Sequence, residues 1–340
     1  MKAETAVQAH TRRRALPKPL VILFISALIL LGVEGGLRLF LWGRTVAPPI
    51  YTKIADPPGY ELKPDAGCDC LQKGRFVHTT IDGEGHRLVP NQSADPAAKE
   101  VHLIGDSQVF GEGLSDNETL AFQLQAKLGN EFKVINHGVP GYGPFAYVRV
   151  LQSIPQDSWV VVVQTEANDL LNSYTSVTAA TVRCGYLTPD TFWGNNLPCW
   201  LLNMRSFQIS SALLGRLTGG KRAVPTAYDS HAKVASKVLM YRNQELLRKH
   251  REMRGNRLIF TFVPWVGFID HSRLQMYLPT IKTPRPVVQF PDDCRILDYF
   301  NQSPHPETLF IPYDDHLSPE GAYLFSEAIA KTLQERAISQ

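Results

Sequence analysis

Val101-His102-Leu103-Ile104-Gly105-Asp106-Ser107-Gln108-Val109-Phe110-Gly111 passes from a short branched apolar run into a serine flanked by glycines. The run from Val101 to Ile104 is too short for a helix and reads as a buried strand, so the chain turns at Gly105 and leaves Ser107 at the strand's carboxyl end. A serine held there can act as a nucleophile. It can equally start a helix, with Asp106 or Ser107 accepting backbone N–H groups as a cap. The triplet alone does not separate the two, because Gly-Asp-Ser arises by chance in roughly one in ten chains of this length at average composition.

The same kind of run recurs at Phe132 to Ile135, Trp159 to Gln164, Leu258 to Val263 and Leu309 to Ile311. Between these runs, Thr119 to Leu128, Pro144 to Ser153, Ser230 to Arg251 and Pro319 to Arg336 carry apolar residues three or four apart, the spacing of one helix face. Strands alternating with helices predict an α/β fold with a parallel sheet covered on both faces. In such sheets ligands bind beyond the carboxyl ends of the strands. Two long segments, 172–228 and 267–308, leave the alternation on that side and predict a rim around a site.

Three further strand ends carry chemistry. The second run leads into Asn136-His137-Gly138-Val139-Pro140-Gly141-Tyr142-Gly143, where glycines let the backbone approach a ligand and Gly141 is the candidate N–H donor. The third leads into Thr165-Glu166-Ala167-Asn168-Asp169, where the Asn168 amide can donate to a developing oxyanion or serve turn geometry. The last leads into Tyr313-Asp314-Asp315-His316-Leu317-Ser318-Pro319, which offers a base and a neighbouring carboxylate to fix its tautomer.

These four segments in this order resemble the SGNH (GDSL-like) hydrolase family, over Glu100 to about Arg336. The resemblance implies a flavodoxin-like three-layer sandwich around a mostly parallel five-stranded sheet. It implies Ser107 as nucleophile and His316 as base. The Ser107 N–H, the Gly141 N–H and Asn168 would form the oxyanion hole, with Asp106 bracing the nucleophile turn and no metal or cofactor needed. Two departures stand out. The family's Gly-x-Asn-Asp is Glu166-Ala167-Asn168-Asp169 here, which puts a carboxylate near the site, and its Asp-x-x-His has Tyr313 in the Asp position. Asp314 is the choice for the orienting carboxylate, as in an Asp-x-His variant of membrane-anchored bacterial relatives, ahead of Asp315.

The first forty residues differ in kind. Thr11-Arg12-Arg13-Arg14 and Lys18 precede an apolar run from Leu20 to Val33, which continues to Trp42 with only Glu34 and Arg38 interrupting. Those two sit four apart and can pair on one helix face. The expected organisation is a cytoplasmic basic tail at 1–18, a transmembrane anchor at 19–42, a linker and irregular apron at 43–98, and a hydrolase domain at 99–338. A cleavable signal peptide is the rival reading, but no small-residue cleavage site follows the run. The basic cluster before the span predicts a cytoplasmic start and a periplasmic or extracellular domain.

The chain has 340 residues, 44% of them hydrophobic and 20% charged, with a net charge of +3. This is globular composition, and no stretch interleaves basic residues with aromatics, so nucleic acid is not an expected partner. The five cysteines follow the anchor, where an oxidising compartment permits pairing. Cys184 and Cys199 can close a loop, whereas Cys68-Asp69-Cys70 reads as too tight for an easy mutual bridge. The functional expectation is a serine esterase acting on acyl esters, acetyl being the simplest, of a small molecule or a cell-surface glycan. An acyltransferase built on the same residues is the alternative, with lipase, thioesterase and non-catalytic glycan binding behind it. Oligomeric state is not legible.

Overall fold

The computed structural model describes residues 17–56, 58–165, 169, 180–189, 192–217, 230–264, 292–312 and 314–339. In chain order the elements are α1 (Lys18–Leu41), β1 (Tyr51–Lys53), β2 (Tyr60–Leu62), β3 (Gly67–Gln72), β4 (Arg75–Thr80), β5 (Lys99–Gly105), α2 (Ser107–Phe110), α3 (Leu120–Leu128), β6 (Phe132–Gly138), α4 (Pro144–Ser153) and β7 (Trp159–Gln164). They continue with β8 (Ala180–Arg183), β9 (Tyr186–Pro189), α5 (Phe192–Asn196), α6 (Cys199–Leu202), α7 (Arg205–Leu217), α8 (Ser230–Arg254), β10 (Leu258–Phe262), α9 (Ile296–Gln302) and α10 (Pro319–Ile338).

The central sheet is parallel and runs β6-β5-β7-β10, so each crossover carries helices to one face or the other. Strand β7 explains why these runs are apolar without alternation. Trp159, Val161 and Val163 face the layer of α3, α9 and α10, while Val160 and Val162 face α4, α8 and the segment before the sheet. Each fully buried side chain of this size contributes about 1.5–3 kcal/mol relative to exposure. Helix α4 begins where Gly143 is extended and Pro144 occupies the first turn, and α10 begins where Ser318 accepts the Gly321 N–H ahead of Pro319.

Four strands, not five, pair in the sheet among the described residues. The segment Leu309 to Ile311 folds back on its own loop instead. Phe310 bridges Leu317, the Ile311 N–H donates to the His316 carbonyl at 2.8 Å, and the Ser318 N–H donates to the Leu309 carbonyl at 3.0 Å. Its backbone groups are thereby used to hold the histidine loop.

The expected irregular apron is ordered. It forms two antiparallel hairpins, β1-β2 and β3-β4, and Ile50, Tyr51, Tyr60, Leu62 and Ile81 pack into the core beneath α4. Arg87 fixes it in place. This side chain is fully buried, with Nε donating to Asp116 Oδ1 at 2.8 Å and the terminal nitrogens donating to the carbonyls of Leu114 at 2.8 Å, His78 at 3.2 Å and Phe110 at 3.3 Å. Where the insertion at 172–228 is described, it holds the hairpin β8-β9 and helices α5 to α7.

Cys184 is bonded to Cys199, and Cys294 is a buried free thiol. Cys68 is bonded to Cys70, contrary to the expectation from their spacing. Residues two apart share a strand face, and the Cα atoms here are 5.4 Å apart, within the span of a disulfide. Helix α1 has 24 residues and, among the described residues, is the helix long and apolar enough to cross a membrane. Its Glu34 and Arg38 pair at 2.8 Å.

Candidate active site

The site begins where β5 stops. Asp106 accepts the Gln108 N–H at 3.0 Å, capping the single turn of α2, and also accepts the Thr165 hydroxyl at 3.1 Å from the end of β7. The turn is tight enough to need glycine on both strands. A Cβ at Gly105 would stand 2.3 Å from Val109 Cγ2, and one at Gly138 would stand 2.1 Å from the Phe110 nitrogen. The cap reading and the site reading of this triplet therefore divide between neighbours: Asp106 caps, and Ser107 faces the histidine loop.

Ser107 Oγ lies 2.7 Å from His316 Nε2. On the other side of the ring, His316 Nδ1 is hydrogen-bonded to Asp314 Oδ1, which also accepts the His316 backbone N–H at 3.0 Å. A carboxylate at Nδ1 keeps the proton there, so Nε2 can accept the serine hydroxyl. Asp315 is farther, at 3.3 Å from Nδ1, and its side chain is largely exposed. Asp314, Asp315 and His316 offer three ligand atoms within 4.8 Å of one another, so they are the candidate holders of a metal ion among the described residues. With Nε2 already on Ser107, only Nδ1 is available for that role, and it would have to give up its bond to Asp314.

Three residues that the sequence reading passed over complete the site. Gln108 donates from Nε2 to the Asp315 carbonyl at 2.9 Å and accepts the Leu317 N–H at 3.0 Å, so the residue after the serine grips the loop on either side of the histidine. Lys73, at the tip of the β3-β4 hairpin, comes within 3.4 Å of Asp314 Oδ2 and 3.8 Å of Glu112 Oε1. Glu112 Oε2 in turn lies 3.5 Å from His316 Nε2. Lys73, Asp314, His316 and Glu112 thus close a ring of titratable groups.

The electrostatics follow from that ring. Burial disfavours the imidazolium of His316, but the hydrogen bonds to Asp314 and Asp315 and the charge of Glu112 outweigh it and raise the pKa to about 10, with Lys73 opposing. Burial likewise penalises the Asp314 carboxylate, yet His316 and Lys73 hold its pKa well below the usual range.

Asp169, which ends the Glu166-Ala167-Asn168-Asp169 block and had no role of its own in the sequence, is a buried support. Its Oδ1 accepts the Tyr147 hydroxyl at 2.9 Å and its Oδ2 accepts the Thr165 N–H at 3.2 Å. Burial, with Asp106 nearby, pushes its pKa well above that of an ordinary carboxyl. Gly141 sits at φ +83°, where a Cβ would stand 2.6 Å from Tyr60 Oη, and the Tyr60 hydroxyl donates to the Pro140 carbonyl at 3.0 Å. The apron therefore contributes twice to the site, with Tyr60 bracing the Gly141 loop and Lys73 reaching Asp314 and Glu112.

Asn168 and Glu166 lie outside the described residues, as do much of 172–228 and 267–291 of the expected rim. No protein-family model matches the sequence, and no curated protein matches it. Among solved structures, a protein described as lipolytic and of the G-D-S-L family, from Desulfitobacterium hafniense, superposes with a TM-score of 0.29 at 13% identity, covering 69% of this chain and 99% of its own. Two further crystal structures superpose with TM-scores of 0.34 and 0.29 at 14% identity each, covering 70% of this chain and 97% and 98% of theirs.

Proposed function

We propose that the chain is a serine esterase of the SGNH type, held outside the cytoplasm by α1 and acting on acyl esters, acetyl in the simplest case, of an exported or cell-surface glycan. The observation that carries the reading is the unbroken line from Ser107 Oγ through the His316 ring to Asp314. A hydroxyl is a weak nucleophile until a base takes its proton as it attacks, and a base works only in the right tautomer. In the proposed reaction His316 Nε2 takes the Ser107 proton while Oγ attacks the ester carbonyl. The Ser107 and Gly141 N–H groups and the Asn168 amide receive the oxyanion. His316 then returns the proton to the departing alcohol, and water, deprotonated by the same nitrogen, releases the acyl group and restores the serine.

The reading is tested with a serine-directed fluorophosphonate on the full chain in detergent. Wild type should be labelled and Ser107→Ala should not; equal labelling of both would overturn it. Supplying a sugar hydroxyl beside a model acetyl ester separates hydrolysis from transfer, because a transferase would yield acetylated sugar in place of free acetate.

A further inference from the structure

Helix α7 is fastened to α1. Glu34 of α1 is buried, and its Oε1 accepts the Arg205 N–H at 3.0 Å while its Oε2 accepts the Ser206 N–H at 3.0 Å and the Ser206 hydroxyl at 2.9 Å. One carboxylate from α1 thus caps the first turn of α7, where unpaired N–H groups and the helix dipole favour negative charge. Arg38 extends the junction by donating to the Asn203 carbonyl at 3.1 Å, and Gln208 accepts the Val46 N–H at 3.2 Å.

The height of this junction matters. At 1.5 Å per residue, Glu34 lies about 10 Å before the end of α1, and the uninterrupted apolar run from Leu20 to Val33 rises only about 21 Å, short of a hydrocarbon core of about 30 Å. If α1 spans a bilayer, Glu34 and the start of α7 lie at the outer margin of the hydrocarbon core, and the last turns of α1 rise from there into the interfacial zone. The outward side of α7 suits that zone. At 100° per residue Phe207, Ile209, Leu213 and Leu214 fall within one half of the helix circumference, and Leu213 and Leu214 are 55% and 63% exposed. Trp200 of the adjoining α6 is 66% exposed, and indole rings favour the headgroup level. Leu30, Leu31, Leu39 and Phe40 of α1 are exposed as well.

We infer that α6 and α7 form a membrane-resting foot, an interfacial surface whose partner is the acyl and headgroup boundary of a lipid bilayer, and that Glu34 latches this foot to the anchor. The inference rests on the reading of α1 as a membrane span. The latch also gives the interrupting charge of the anchor a purpose: the carboxylate is satisfied by α7 and Arg38 and need not face lipid.

The test uses the full chain reconstituted in phosphatidylcholine vesicles, with a photo-crosslinking leucine analogue at position 28 of α1 or at position 213 of α7. Lipid adducts are read by mass spectrometry. Adducts at both positions are expected, with the yield at 213 falling severalfold in Glu34→Ala while the yield at 28 holds. Adducts at 28 without adducts at 213 overturn the foot and leave the anchor standing. Absence of adducts at 28 overturns the anchor reading, and the latched foot with it, whatever is seen at 213.

Discussion

His316 Nε2 stands 2.7 Å from Ser107 Oγ across 209 residues of sequence, and the residue next to the serine holds the histidine's loop in place. The proposed nucleophile and the proposed base are thereby positioned by one short segment. Gln108 ties the turn after β5 to the loop before α10 from both sides of His316, so neither can shift without the other.

Removing the serine or the histidine should abolish turnover while leaving the fold. Ser107→Ala and His316→Ala are each expected to lower kcat on a model acetyl ester by on the order of 10⁴-fold or more, and the double variant should lose little beyond either single one, because the two act as a unit. Additive losses in the double variant would argue that they do not.

Gln108→Ala should act through geometry. It leaves the buried Leu317 N–H without its partner, at a cost of about 1–3 kcal/mol for a buried group left unsatisfied, and releases the part-buried Asp315 carbonyl. The expected result is a fall in kcat with KM nearly unchanged. Gln108→Glu, which keeps an acceptor for the Leu317 N–H but loses the donor to Asp315, should fall between. A change confined to KM would place Gln108 in substrate binding instead.

How much of this was legible in the sequence depended on whether the signal was local. Strand β7 read correctly at both ends because burial on two faces makes an uninterrupted apolar run, and α4 read correctly because Gly143 and Pro144 punctuate its start. The apron did not, since β3 and β4 carry charged and polar residues and turn at Lys73-Gly74, both at positive φ, in place of the familiar Asn-Gly. Lys73 and Glu112 were invisible as site residues for a different reason. Nothing in their own surroundings marks them, and only the folded hairpin brings Lys73 to Asp314. The expected fifth strand failed because three residues offered too few backbone groups to serve both the sheet and the histidine loop.

Arg87 should be a stability residue that activity per folded molecule does not feel. Arg87→Met leaves Asp116 buried beside lost donors, and breaking a buried pair from one side costs about 3–5 kcal/mol. Urea denaturation followed by circular dichroism should show the midpoint falling by that equivalent, and esterase activity should track the folded fraction. A loss of activity at full folding would mean that the apron does more than brace the site.

The ring of charges around His316 makes pH the most informative variable. His316 has a raised folded-state pKa, so its contribution to stability is full below the unfolded value of 6.5 and is lost as pH rises through the folded value of about 10. Asp314 has a depressed one, so its contribution is present above the unfolded value of 3.8 and is lost as pH falls through the folded value. The pair therefore stabilises most between those two unfolded values, whereas the proposed mechanism needs neutral His316, so activity should rise on the alkaline side. Neighbouring charges should move that rise in opposite directions. Lys73→Met removes a cation that opposes the imidazolium, so the acid limb of kcat/KM should shift to higher pH. Glu112→Gln removes an anion that favours it, so the limb should shift lower. Shifts of the same sign in both variants, or none in either, would show that the ring does not set the protonation of the base.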